Sequence, residues 1–349
     1  MRSFLVYLAS LTSLAPLVYA WGVVGHEAIA TIAQIHLHDE ARLAIKAALP
    51  DSGHLGFIAS WADRIRGSPQ YRWSGELHYT SPLGDYPPSA CHFGEEGWKT
   101  DHDVLHAIAN YTQRLVDDPL DVVSLKFLVH FVGDVHQPLH LTDRDRGGNS
   151  DIVIFEGRRM NLHSLWDGAL ITKAVREQKN YTQPLPAAQI EQSLRQTIFD
   201  PYIRLILWEG VRIWWRDALP SWFLCPKSAS SSETRHRRNQ IHFDTSSASS
   251  SPSILALGVC PQSWAQETHQ TTCARTFPPD YDSQHPIPKE LNTKEYYGPI
   301  QDSNIIEKLL AQGGLRLAAT LNAIFADATV QATSSPVNLS WLDDLEAQV

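Results

Sequence analysis

The chain is short of basic residues. Lysine plus arginine amount to 29 against 38 aspartates plus glutamates, a formal charge of −9 over 349 residues, which excludes a broad basic surface as the means of gripping a polyanion. An anionic ligand would need a local positive source, and a bound divalent cation is one, because it is often the largest charge in a site. Methionine is nearly missing, with 2 residues, whereas histidine numbers 16. The 4 cysteines (Cys91, Cys225, Cys260, Cys273) include no C-x-x-C pair, which argues against an all-cysteine zinc site. There is no internal repeat, and past residue 20 no segment is apolar enough to span a bilayer. With 43% hydrophobic and 19% charged residues, the remainder reads as a globular body of enzyme size.

Residues 1–20 carry Arg2, a short apolar stretch interrupted by Ser10, Thr12 and Ser13, and the small-residue ending Val18-Tyr19-Ala20. That is the pattern of a secretory signal peptide rather than a membrane anchor, so the mature chain is expected to begin at Trp21 and to be extracellular. Export makes the cysteines candidate disulfide partners, with three connectivities open. Sequons at Asn110, Asn180 and Asn338 fit a secreted glycoprotein. Residues 226–259 turn abruptly Ser-rich and read as a surface insertion whose basic patch, Arg235 to Arg238, is a solvated loop. The organisation expected is thus a leader (1–20), one domain (21–327) and a C-terminal tail (328–349). The tail reads as loosely attached, although Trp341 and Leu342 could dock on the body.

Helical periodicity covers residues 26–49, 103–117, 121–137, 163–177, 201–217 and 303–325. The one strand signal is 151–162, alternating around Glu156-Gly157 as a hairpin would. The class is mainly α, with one small β-hairpin.

Chemistry concentrates in FLVHFVGDVHQPLH, residues 127–140. His130 and Asp134, four apart, share one face of an apolar helix within reach of one ion. A polar pair buried there is costly unless metal-bound or mutually satisfied, and the spacing alone leaves both open. Pro138 then turns the chain before His140. NLHSLWDGAL repeats the spacing with His163 and Asp167. SWADRIR sets Asp63 one turn before Arg66, which a surface ion pair would also explain. His78 in ELHYT reads at first as an ordinary loop histidine, and His26 in WGVVGH as either a ligand or a helix N-terminal residue. These donors, all histidine and carboxylate, suit zinc better than calcium or magnesium. They outnumber what one tetrahedral ion needs, which points to a multinuclear site that clamps phosphate esters.

Taken in order, WGVVGH, SWADRIR, LHY, FLVHFVGDVHQPLH, RGGN and NLHSLWD resemble the trinuclear-zinc, single-strand-specific nucleases secreted by fungi and plants, related to zinc-dependent phospholipase C. The similarity runs from Trp21 through QGGLRLAATLN. The resemblance implies three zinc ions: one on Asp63, His78, His130 and Asp134; one on His140, His163 and Asp167; and one on Trp21, through its amino group and carbonyl, with His26 and Asp134. It further implies that a metal-bridging hydroxide attacks phosphorus, leaving 5′-phosphate products from single-stranded DNA and RNA. 3′-Nucleotidase activity would accompany this. Asp63 would orient the nucleophile, and Arg66 would bind the charge that grows on the phosphoryl oxygens. Tyr79 with Gly147, Gly148 and Asn149 would form a base pocket. Ser81 departs from relatives that carry Asp there, and His136 receives no metal role. The resemblance also implies Cys91–Cys273, leaving Cys225–Cys260. A monomer is the simplest expectation. The rival readings are a phospholipase C-like phosphodiesterase and a non-catalytic secreted zinc-binding protein.

Overall fold

The computed structural model describes residues 21–226, 253–278, 287–326 and 335–342. The expected leader and the greater part of the Ser-rich stretch lie outside the described residues. VVGHEAIATIAQI forms α1 (Val23–Ile35) and is buried over most of its length. The helical run expected to continue to residue 49 breaks at 36–38, before α2 (Asp39–Ala48). The reason lies in His36, whose carbonyl accepts from Asn338 N and Asn322 Nδ2. A carbonyl occupied by other elements cannot extend the helical ladder.

A short α3 (Trp61–Ile65) and a 3-10 segment (Arg72–His78) follow. Carboxylates begin the next two helices: Asp103 accepts from Leu105 N and His106 N ahead of α4 (Val104–Asp117), and Asp121 from Ser124 N ahead of α5 (Val122–Asp134). The periodicity pointed to residue 137 as the end of α5. Pro138 instead holds Gln137 extended (φ −94°, ψ 115°) and opens a new 3-10 turn, Pro138–Leu141.

The hairpin is present as β1 (Ile152–Phe155) antiparallel to β2 (Arg158–Asn161). Glu156 (φ 51°) and Gly157 (φ 73°) supply the left-handed pair that a two-residue turn requires. It passes the chain to α6 (Leu162–Ser164), a π turn (Leu165–Ala169) and α7 (Leu170–Glu177). Next come α8 (Ala188–Glu191), α9 (Asp200–Leu205) leading into a π segment (Ile206–Trp214), and α10 (Leu219–Trp222). The last are α11 (Pro261–Thr271), α12 (Tyr297–Asp302) and α13 (Ile305–Phe325). The fold is mainly α with one hairpin, as the sequence implied.

Helix α1 packs on α13 and α5, and α4 packs on α5, so the donor-bearing helices α1 and α5 stand at the centre of the core. Cys91 is joined to Cys273 and Cys225 to Cys260. Two stretches that read as peripheral contribute to the core. Ile254 and Val259 are buried at the end of the Ser-rich region, and Val337, Trp341 and Leu342 are buried beside α1.

Candidate metal centre

Helix α5 projects His130 and Asp134 from one face, and both are fully buried. Around them gather Asp63 from α3, His78 from the end of the 3-10 segment, and His26 from the first turns of α1. His26 reaches α5 because of Gly133: a Cβ there would lie 2.6 Å from His26 Nδ1. Asp134 is the hub. Its Oδ1 lies 3.3 Å from His26 Nε2 and 3.5 Å from His140 Nδ1, and its Oδ2 lies 3.0 Å from His78 Nδ1 and 3.3 Å from His130 Nε2. Asp63 Oδ1 stands 3.6 Å from His78 and 3.7 Å from His130. A second group follows, with His163 Nε2 at 3.4 Å and His140 Nε2 at 3.9 Å from the Asp167 carboxylate. The π turn carries Asp167, a distortion that recurs at functional sites.

The rings are aimed from outside. His130 Nδ1 donates to Ala59 O (2.7 Å), His140 Nδ1 to His78 O (2.7 Å) and His163 Nδ1 to Gly147 O (2.6 Å). A carbonyl only accepts, so each Nδ1 carries the proton and each Nε2 presents a lone pair. This is the outer shell that metal-binding histidines ordinarily have. Gly147 makes that contact in a left-handed conformation (φ 63°), and a Cβ on it would sit 2.6 Å from Leu139 O.

The guanidinium of Arg66 stands against the donors, its Nη1 3.4 Å from Asp63 Oδ1. That pair is sheltered and not a surface contact, with the side chains 17% and 3% exposed. Burial pushes the carboxyls of Asp134 and Asp167 well above the usual range. Burial likewise holds His26, His78 and His140 well below theirs and His163 down to about 4. At His130 burial acts downward, but Asp134 and Asp63 outweigh it and raise the imidazole. His26 Nε2, His78 Nε2, His163 Nε2, Asp63 Oδ1 and Asp134 Oδ1 are buried without a directed hydrogen-bond partner. Such atoms carry a desolvation penalty unless something binds them. Three sets of donor atoms are close enough to share an ion: His26, Asp63 and His130; His78, His130 and Asp134; His140, His163 and Asp167. Nitrogen and oxygen donors left open toward one interior suit divalent cations of the zinc type.

Beside the donors opens a cavity of about 370 Å³, lined by Arg66, Tyr79, His140, Arg146, Gly147 and Asn149 among others. Tyr79, 43% exposed, offers its ring at the mouth. Asn149 donates from Nδ2 to Arg146 O (2.9 Å), while Gly148 lies behind, its amide bonded to Arg144 O. Ser81 is buried. Trp21 is buried next to Gly22, whose N–H donates to Asp167 O (2.6 Å), so the chain at Trp21 is pinned to the segment carrying the second group. Asn110 and Asn180 are exposed and Asn338 is half-buried.

Sequence reasoning passed over Gln137, which donates to Asp167 Oδ1 from within HQPLH. It also missed the Lys99–Asp143 ion pair, which joins two loops at the cavity. Gln137 had a readable signal, being a polar residue buried inside an apolar motif. Lys99 had none, because its partner is 44 residues away.

Comparison with known proteins bears on what such a centre does. The S1/P1 nuclease family model matches residues 21–326. The chain is 30% identical to Endonuclease 3 of Arabidopsis thaliana, covering 93% of this chain and 96% of that one. It is 29% identical to Endonuclease 4 of the same plant over 96% and 99%. Nuclease P1 of Penicillium citrinum is 39% identical over 44% of this chain and 60% of its own.

Proposed function

This chain belongs to the S1/P1 nuclease family and is a phosphodiester hydrolase acting on nucleic acid; we propose that it cuts single strands, DNA and RNA alike, at a cluster of three zinc ions. The observation that carries this reading is the set of buried histidine nitrogens and carboxylate oxygens that converge without partners. Asp63, His78, His130 and Asp134 would hold one ion, His140, His163 and Asp167 a second, and Trp21 with His26 and Asp134 a third. Zinc supplies Lewis acidity toward a phosphate and lowers the pKa of water.

The protein's own residues supply the rest. Asp63, held against Arg66, orients the attacking water. The Arg66 guanidinium takes the charge that grows on the phosphoryl oxygens. Tyr79 offers a face to an unstacked base, and the rim of Gly147, Gly148 and Asn149 reads its edge. Only a single strand presents both face and edge, since a duplex hides them. Breaking the P–O3′ bond, with the 3′ oxygen leaving as a hydroxyl, would give 5′-phosphate products, and the same pocket would accept 3′-nucleotides. Removal of residues 1–20 frees the Trp21 amine, which donates to a metal where an amide nitrogen does not. In this reading the enzyme is secreted and acts as a monomer, with 21–327 as its catalytic domain. Family membership sets aside the phospholipase-like and non-catalytic alternatives.

The test is metal analysis of the processed protein alongside product analysis on denatured and duplex DNA. The expected result is a zinc complement of three per chain with 5′-phosphate fragments from denatured substrate. A full complement with equal cutting of duplex would remove the single-strand assignment, and near-zero zinc would remove the metal cluster.

A further inference from the structure

The 3-10 segment Arg72–His78 delivers His78 to the centre and then Tyr79 to the cavity, and its exposed face has a second aromatic. Three residues make one 3-10 turn, so Trp73 and Glu76 fall on one face, and Tyr79 follows directly after the segment as an extended residue (φ −147°, ψ 170°). All three are exposed, whereas Ser74, Leu77 and His78 are buried. Trp73 is 49% open, an unusual position for the largest apolar side chain. It is also held in place. Its Nε1 donates to Gln70 O (2.9 Å), and its ring leans on Phe127 (5.8 Å between centroids) and Tyr71 (6.5 Å). Phe127 belongs to α5, so the indole is mounted on the helix that bears His130 and Asp134.

We propose that Trp73 is a second nucleobase platform, taking a base of the same single strand a few nucleotides away from the one on Tyr79. At about 2 Å rise per residue, the two aromatics stand roughly 12 Å apart along the segment. A continuous strand can bridge that distance, whereas a mononucleotide cannot. The base would stack on the open face of the indole, a sequence-tolerant contact because every base has a π face. Arg72, exposed beside it and without an ion-pair partner among the described residues, supplies the charge for the phosphate chain. Glu76 is an acceptor and suits an exocyclic amino group better than a phosphate. The sugar–phosphate chain therefore runs on the Arg72 side. This inference rests on the single-strand nuclease reading.

The test compares kcat/KM on a dinucleotide with that on a long single-stranded oligonucleotide, for wild type, Trp73→Leu and Trp73→Phe. Leucine keeps contact with Phe127 but has no π face. The long-to-short ratio should fall about tenfold in Trp73→Leu and recover most of the way in Trp73→Phe. In the wild type alone, kcat/KM should climb once the substrate is long enough to span from Tyr79 to Trp73. An unchanged ratio, equal losses on both substrates, or no gain with length overturns the platform while leaving the nuclease intact. Wild type that cleaves neither substrate removes both readings.

Discussion

Two groups of buried histidine occupy this core, and they differ in one respect. In the first, His26, His78, His130, His140 and His163 gather around Asp63, Asp134 and Asp167, and among them His26, His78 and His163 leave a nitrogen, and Asp63 and Asp134 an oxygen, without a directed partner. In the second, His36 and His136 are equally buried but satisfied at both ends. His36 Nδ1 donates to Ile32 O (2.7 Å), and its Nε2 faces Trp341 Nε1 (3.4 Å). His136 Nδ1 donates to Val132 O (2.7 Å), and its Nε2 accepts from Arg316 (3.0 Å), which also pairs with Glu267. Burial lowers every imidazole of the first group except His130, which its carboxylates raise, and both of the second, to about 4 for His36 and about 3 for His136. A depressed pKa therefore does not mark a metal centre. Several unclaimed histidine nitrogens and carboxylate oxygens converging on one point do, because such a cluster is costly to bury unless a ligand completes it.

The comparison breaks most sharply at Asp134, the hub of the open group. Asp134→Ala should abolish nuclease activity and lower the metal content per chain measured by elemental analysis. Unchanged metal and activity would place the centre elsewhere. Next, Arg66→Ala should cut kcat by about 10²–10³-fold while retaining metal. An equal loss of metal would make Arg66 a structural neighbour of Asp63 instead. In the satisfied group the effect should move from activity to stability. Trp341→Ala should cost about 3 kcal/mol of unfolding free energy in denaturant titration, from a lost buried ring, with the kcat of the folded enzyme unaltered. A drop in kcat would tie the C-terminal segment to catalysis.

The smallest effect expected is that of pH on His36. Its folded pKa lies below the unfolded value of 6.5, so between 6.5 and about 4 the unfolded chain binds the extra proton and stability falls as pH falls. At pH 5.5 the cost should be about 1 kcal/mol. Unfolding measured against pH should show this slope reduced in His36→Gln. An identical slope would assign the acid sensitivity to other groups.

The open group was partly legible in sequence. His130 with Asp134, and His163 with Asp167, announce themselves because i, i+4 spacing puts both side chains on one helical face. Asp63 with Arg66, three apart, is readable because i, i+3 spacing also shares a helical face, though its burial is not. His78 was not readable from spacing. It looks like a loop histidine, and its place depends on where a seven-residue 3-10 segment ends. His26 depends on Gly133 of another helix leaving room for its ring. The satisfied group was less visible. His136 sits inside the central motif yet turns to Arg316, 180 residues away, and no local pattern encodes that. Helices α11 and α12 were also missed. The apolar residues of α11 are few, and it is held by packing against the Pro138–Leu141 turn and α4.

From sequence alone came the helical class, the hairpin and its turn, and the family resemblance. It also supplied an inventory of histidine and carboxylate donors on apolar helices. These follow from period, turn chemistry and the cost of burying polar groups, all of which act over a few residues. The tertiary structure decided which donors meet, which histidines are claimed by other protein atoms, where α1 breaks, and that Trp73 and Tyr79 are both left exposed. Those outcomes depend on close approaches between segments far apart in the chain, where packing and not local propensity sets the geometry.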